Sequence, residues 1–253
     1  MTLKKISLDL PLPLFYKGSD LELEPHLPTV LYLGLSARES LEVDPYNQPT
    51  LTLLEKGFRV LSVDLPFHGK DLQAIKAMQR WAEIFASGQD FITPFLENLE
   101  KSLRAFFSRF PSPWFGAMGL SRGGFVAAHL AARLPLCNPL VGFAPLTRLT
   151  SIKEFKDLSC PQAEALALSS LQDSLYSMPL KAFIGNHDTR VGTDLCFSWI
   201  SSLAAEAYKR GIRSPPQELC ITPSIGAAGH GTSKESFTAG ALFLAAQMRG
   251  ALS

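Results

Sequence analysis

The sequence predicts an α/β fold with a doubly wound, mostly parallel sheet, on three observations. Val30 to Leu33 and Val60 to Val63 are nearly continuous apolar runs, as expected of strands covered on both faces. Helical patterns alternate with such runs along most of the chain, which implies parallel strands joined by right-handed crossovers. Finally, Gly119-Leu120-Ser121-Arg122-Gly123 stands between an apolar run, Trp114 to Met118, and an alanine-rich helical stretch, Phe125 to Arg133. Strand, tight turn and helix in that order give a serine the context of a nucleophile.

In chain order, Lys4 to Leu10 alternates apolar and polar residues like a half-buried antiparallel strand, and Asp20 to Glu24 reads as a second short strand. Strand 30–33 is followed by Gly34-Leu35-Ser36-Ala37-Arg38, which lacks the second glycine of the serine motif and reads as a loop. Pro49 to Lys56 is a helix with Leu51, Leu53 and Leu54 toward the core, stopped by Gly57. After strand 60–63, a long helical region carries Ile92, Phe95, Leu96, Leu99, Leu103, Phe106 and Phe107 at the spacing of one buried face. Strand 114–118, the serine turn and helix 125–133 follow, then strands at Leu140 to Phe143 and Leu180 to Ile184. A helix at Leu195 to Tyr208, a strand at Glu218 to Ile221 and a helix at Phe237 to Met248 close the pattern. Residues 147–177 interrupt the alternation with polar, weakly helical sequence and read as a small lid or cap within a single domain, 1–253.

Net charge is +1, from 24 Lys+Arg against 23 Asp+Glu, so no electrostatic footprint favours nucleic acid or an anionic membrane. Small neutral substrates fit better. Cys137, Cys160, Cys196 and Cys220 lack the spacing of a zinc or redox site, which points to a reducing, cytoplasmic setting. Asp9, Pro11 and Pro13 interrupt the apolar patch after Lys4 and Lys5, which argues against a signal peptide or membrane span.

A serine hydroxyl is a poor nucleophile near neutral pH, so Ser121 needs a histidine as base and a carboxylate to orient it. His26, His68, His129 and His187 each read as surface or structural residues. His230 differs, because Gly226-Ala227-Ala228-Gly229-His230-Gly231-Thr232 is a flexible loop between the last strand and the last helix. Such a loop carries a ring to the carboxyl edge of the sheet, where open α/β folds place their ligands. Asp188 lies just beyond strand 180–184 and reaches the same crevice. Asp194 reads instead as a helix-start charge, and Asp64 as a residue holding its own following turn.

The order Ser121, Asp188, His230 resembles the α/β-hydrolase superfamily, and the resemblance runs nearly the whole chain. Gly57 to Gly69 resembles the family's strand and turn ahead of the nucleophile strand, and Gly185, Asp188 and Val191 match its acid loop. The Ser-Arg-Gly-Gly elbow, with Gly119, Gly123 and Gly124 leaving room for the turn, is similar to compact serine esterases and to dienelactone-hydrolase-like or prolyl-oligopeptidase-like members. The resemblance implies a catalytic triad, an acyl-enzyme intermediate, and an oxyanion hole from the Leu35 and Arg122 backbone N–H groups. It implies no metal and no organic cofactor. Two departures stand out: Leu33-Gly34-Leu35-Ser36 replaces the family's His-Gly, and Phe67 replaces a glycine before His68-Gly69. The expected function is hydrolysis of a small carboxylic ester. Peptidase, thioesterase or acyltransferase chemistry on the same triad, or a non-catalytic binding protein of this fold, are the alternatives; acyl chain, leaving group and oligomeric state stay open.

Overall fold

The computed structural model describes residues 2–69 and 74–250. In chain order the elements are β1 (Lys4–Lys5), β2 (Phe15–Lys17), β3 (Thr29–Leu33), α1 (Ala37–Glu42), α2 (Gln48–Glu55), β4 (Arg59–Ser62), α3 (Ala74–Ala86) and α4 (Ile92–Arg109). They continue with β5 (Phe115–Leu120), α5 (Arg122–Arg133), β6 (Cys137–Phe143), α6 (Pro161–Ala165), α7 (Gln172–Leu175), β7 (Leu180–Gly185), α8 (Thr193–Lys209), β8 (Gln217–Thr222) and α9 (Lys234–Gly250). The eight strands form one sheet in the order β1-β2-β4-β3-β5-β6-β7-β8. β3 to β8 run parallel, while β1 and β2 are antiparallel.

Both faces of the sheet are covered, as the unbroken apolar runs require. Along β3, Val30 and Tyr32 point into one apolar cluster and Leu31 and Leu33 into the other. The first cluster lies under α2 and α9, with Leu53, Phe237, Ala241, Leu244 and Met248. The second lies under α3, α4, α5 and α8. On α4, Ile92, Leu96, Leu99, Leu103 and Phe106 are fully buried, while Phe95 and Phe107 pack at the margin. The chain winds from β3 outward to β4 and then returns to β5 on the other side of β3, so the sheet's switch point lies at the carboxyl ends of β3 and β5. Open α/β sheets bind ligands at such a point.

Four local expectations change. Asp20 to Glu24 is a turn rather than a strand: Asp20 accepts the Glu22 N–H on its side chain and the Glu24 N–H on its carbonyl. The Glu24 and Pro25 carbonyls then accept from the buried Arg59 guanidinium, and the strand beside β4 is Phe15–Lys17 instead. β1 is confined to Lys4–Lys5 rather than reaching Leu10. On α2 the inward face is Pro49, Thr50 and Leu53, while Leu51 is exposed, because only one side of this helix meets α9. The stretch 34–38 is not all loop, since Ser36 caps α1 in a reciprocal box with Glu39.

Residues 147–177 form short turns and helices whose apolar residues Leu149, Ile152, Phe155, Ala163, Leu168 and Leu175 are buried in the core. His129 on α5 lies beneath them, donating from Nε2 to the Leu166 carbonyl at 2.8 Å and packing edge-on against Phe125. Burial holds its pKa down to about 4, and burial together with the Arg122 charge does the same for His68. Each histidine takes up its proton near 6.5 in the unfolded chain, so between about 6.5 and 4 the unfolded state binds more protons. Stability is therefore full above 6.5 and falls as pH drops toward 4, by about 3 kcal/mol per histidine. Urea unfolding from pH 7 to 4.5 is expected to show this loss, and His129→Gln, which keeps a donor for Leu166, is expected to remove about half of it. An unchanged pH slope in that variant would count against the assignment.

Candidate active site

Ser121 sits between β5 and α5 with φ 52° and ψ −115°, a conformation that side chains rarely adopt. Its carbonyl accepts from the Gly124, Phe125 and Leu146 N–H groups, and its own N–H donates to Phe143 O at 2.8 Å. The turn closes because its glycines lack side chains: a Cβ on Gly123 would stand 1.9 Å from Leu33 O, and one on Gly119 2.2 Å from Gly123 O. Gly124 meets Pro145 with little room to spare, at 3.0 Å from a built Cβ.

The histidine and acid come from the ends of β8 and β7. His230 Nε2 lies 2.9 Å from Ser121 Oγ, and His230 Nδ1 lies 2.7 Å from Asp188 Oδ2. A carboxylate only accepts, so Nδ1 carries the proton, leaving Nε2 to accept from the serine hydroxyl. Asp188 is 3% exposed, and its other oxygen accepts the Arg190 and Val191 N–H groups at 2.9 and 3.0 Å. Its own N–H donates to Thr193 Oγ1, whose hydroxyl donates to Gly185 O. The carboxyl group thus meets His230 in a fixed orientation.

A second set of contacts ties the two loops together. The His187 N–H donates to Ser224 Oγ at 2.7 Å, and the Ser224 N–H donates back to Asn186 Oδ1 at 3.0 Å. Asn186 N–H reaches Thr222 O, and Thr189 N–H reaches Ala228 O. Arg190 extends the assembly with a two-pronged pair to Glu154 in segment 147–177, at 2.6 and 2.8 Å. Burial works against the Glu154 carboxylate, but this pairing outweighs it and holds its pKa below the ordinary value. Among the described residues, no group of three or more His, Cys, Asp or Glu is placed to hold a metal ion.

A cavity of about 270 Å³ opens at Ser121 and His230, and Leu35, Tyr46, Arg122 and Phe237 are among its lining residues. None of its lining comes from 147–177. No protein-family model matches the sequence, and no curated protein matches it. Solved structures do. TT1662 from Thermus thermophilus superposes with TM-score 0.71 at 19% identity, covering 98% of this chain and 99% of that one. The Pyrococcus furiosus esterase Pf2001 gives 0.68 at 17%, covering 98% and 93%, and Est1E from Butyrivibrio proteoclasticus with ferulic acid bound gives 0.68 at 14%, covering 97% and 99%. This chain has the α/β-hydrolase fold.

The loop after β3 is one of the two places where this sequence departs from the pattern it resembles, and here it is held by side chains of its own. The Gly34 N–H donates to Ser40 Oγ, which donates to Ser36 O, both at 2.9 Å. The Leu65 N–H donates to Leu35 O, and the Ala37 N–H donates to Asp64 Oδ1 at 2.8 Å. Asp64 therefore reaches across to α1, a long-range role where a local one was expected. Asp194 lies in the first turn of α8, as expected of a helix-start charge. His26 and His187 are exposed, whereas His68 is buried beside the elbow, donating from Nδ1 to Pro66 O and accepting on Nε2 from Arg122 Nη1 at 3.0 Å. Burial, and then the nearby Arg190 charge, lower the Arg122 pKa to about 10.

Sequence reasoning missed Ser40, Asn186, Ser224 and Tyr46. Ser36-x-x-Glu39 was a readable helix-start signal; the bond between Asn186 and Ser224 joins residues 38 apart and leaves no local pattern, and the bonds of Ser40 to Gly34 and Ser36 depend on how the loop after β3 turns. Gly123→Ala is expected to lower the melting temperature by more than 5 °C or to abolish soluble expression, because the new methyl meets backbone rather than a movable side chain; about 1 kcal/mol shifts a domain of this size by roughly 2–4 °C. A melting curve identical to wild type would contradict that packing.

Proposed function

We propose that this protein is a serine hydrolase that cleaves small carboxylic esters through Ser121, His230 and Asp188. The observation that carries the reading is the unbroken hydrogen-bonded line from Ser121 Oγ through the imidazole to the Asp188 carboxylate, at 2.9 and 2.7 Å, on a fold shared with esterases. His230 Nε2 takes the hydroxyl proton as Ser121 Oγ attacks the ester carbonyl. The Leu35 and Arg122 N–H groups stabilise the oxyanion, and His230 returns the proton to the departing alkoxide. Water then repeats the sequence on the acyl-enzyme and releases the acid. Asp188 keeps Nδ1 protonated and the ring aligned, and stabilises the imidazolium as it forms.

Arg122 lies at the first helical position of α5, whose N–H groups face the helix start, and Leu35 lies on the pinned loop opposite. An oxyanion donor of this kind lowers the barrier by about 3–4 kcal/mol. Asp64, Ser40 and the Ser36–Glu39 box act as positioning residues for Leu35. The chain works as one domain, with 147–177 a small cap fixed to the acid loop by Glu154 and Arg190.

A fluorophosphonate probe is expected to label wild-type protein at Ser121 and to leave Ser121→Ala unlabelled, with ester turnover reduced by at least about 10⁴-fold. Asp188→Asn is expected to fold normally and to lose on the order of 10³- to 10⁴-fold in kcat, because an amide no longer fixes the imidazole tautomer. Labelling of Ser121→Ala at the wild-type rate, or full turnover in a folded Asp188→Asn protein, would sink the assignment. Asp64→Ala is expected to lower kcat by about tenfold or more while KM changes little, since the Leu35 N–H acts on the transition state. A rise in KM alone would remove Asp64 from this role.

A further inference from the structure

We infer that the outer edge of the sheet, β8 with the flanking side of α8, is a contact surface for a second copy of this chain. The two β8 strands pair antiparallel about a two-fold axis, and one sheet runs through both copies. β8 is the last strand, and every residue from Gln217 to Thr222 is exposed or half-buried, whereas every residue of β3, β4 and β5 is buried. The opposite edge is built differently. There β1 is two residues long and both are lysines, a common way of discouraging edge strands from pairing. β8 is six residues long, and its one charged residue, Glu218, is engaged by Lys181 at 2.6 Å.

The pairing with β7 decides which backbone groups face outward. The Leu180 N–H donates to Pro216 O and the Asn186 N–H to Thr222 O, so the even-numbered positions of β8 turn their peptide groups toward β7. Successive residues alternate, which leaves the N–H and C=O groups of Gln217, Leu219 and Ile221 directed away from the sheet. In an antiparallel pair centred on Leu219, that residue meets Leu219 of the second copy and Gln217 meets Ile221. All three then exchange both of their backbone bonds. Pairing centred on Cys220 sets Gln217 against Pro223, which has no N–H to give. In the Leu219 register Glu218 faces Cys220 of the second copy, so like charges are not opposed.

Side chains supply the other half of the surface. Leu219 packs on the core beneath α8 and Cys220 on the core beneath α9, so alternation puts Ile221 on the α8 side, where it is 52% exposed. On α8, Cys196, Trp199, Ile200, Leu203 and Ala207 are buried on the sheet, while Leu195, Ser198 and Ser202 line a cavity with Thr147, Ser169 and Gln172 of segment 147–177. The side left over, toward the β8 edge, carries Phe197, Ser201, Ala204 and Tyr208 at the spacing of one helix face. This row has no charge, and Phe197 and Tyr208 are 55% and 64% exposed. A two-fold axis sets the two α8 helices side by side and antiparallel, so Phe197 near the start of one meets Tyr208 near the end of the other. A bare strand edge would take any extended peptide. The uncharged helical row on the same side, repeated by the two-fold, is what fits a second copy.

The test is sedimentation velocity on the full chain over a dilution series. Wild type is expected to reach twice the 27.6 kDa chain mass. Ile221→Lys and Phe197→Glu change exposed residues and are expected to keep the wild-type circular dichroism while raising the dimer dissociation constant by at least about tenfold. Leu23→Lys, at a position 83% exposed in the 20–24 turn, is expected to leave it unchanged. Leu219→Cys in a Cys220→Ser background is expected to form a disulfide-linked dimer on mild oxidation, because the opposed Cα atoms of a hydrogen-bonded pair stand about 5.5 Å apart, within disulfide reach. A wild-type monomer at every concentration would leave the edge to an extended peptide of another protein and overturns the proposal. A dimer that survives both Ile221→Lys and Phe197→Glu, or that Leu23→Lys also dissociates, overturns it as well. A dimer that both variants weaken but that fails to cross-link overturns the register centred on Leu219. None of these outcomes bears on the serine-hydrolase reading.

Discussion

The hydrogen bonds that converge on the Ser121 carbonyl hold the rest of the site in place. Three N–H groups, from Gly124, Phe125 and Leu146, meet on that one oxygen. They keep a non-glycine residue at positive φ, a conformation that costs on the order of 1–3 kcal/mol and persists only where its surroundings over-determine it. Two of the donors belong to the first turn of α5 and the third to the chain leaving β6, so the serine is fixed by the sheet's central strands and not by a mobile loop. Side chains at Gly119 or Gly123 would push those strands and the helix apart, which is why the turn depends on what these residues lack.

Around that fixed point the site is built from backbone ends rather than from a continuous stretch of chain. β3 supplies the Leu35 loop, β5 the serine, β7 the acid and β8 the histidine. All four strands are parallel, so their carboxyl ends open on the same edge of the sheet. The Ser36–Glu39 box, Ser40 and Asp64 hold the first of these loops; Asn186 and Ser224 hold the last two to each other. Neutral burial of His68 fits the same plan, since a second positive charge beside Arg122 would repel it.

Much of this was legible in the sequence, and where it was, a local physical pattern carried it. Apolar runs gave the buried strands, and the stripe from Ile92 to Phe106 gave the face of α4. Gly119 to Gly124 marked the turn, and strand ends located Asp188 and His230. What was not legible depends on tertiary partners. Asp20 to Glu24 alternates as a strand would, but Asp20 closes it into a turn and the Glu24 and Pro25 carbonyls are drawn to the buried Arg59. The polar look of 147–177 hides six apolar residues that fill the core above α5. Ser224 and Asn186 are unremarkable in sequence because each has meaning only beside the other.

The reciprocal bonds between Asn186 and Ser224 have a mechanical consequence. The Asp188 loop and the His230 loop are tied directly to each other, and Arg190 on Glu154 ties the first of them to segment 147–177, which His129 holds to α5, while Ser121 sits at the turn between β5 and α5. Of the two hydrogen bonds that join Ser121, His230 and Asp188, the one from Ser121 Oγ to His230 Nε2 links the elbow to these tied loops. A shift of the tied loops against the elbow would lengthen that contact, while the bond from Asp188 to the imidazole would move with the loops that carry it. In the proposed triad that contact is the one along which the proton would move.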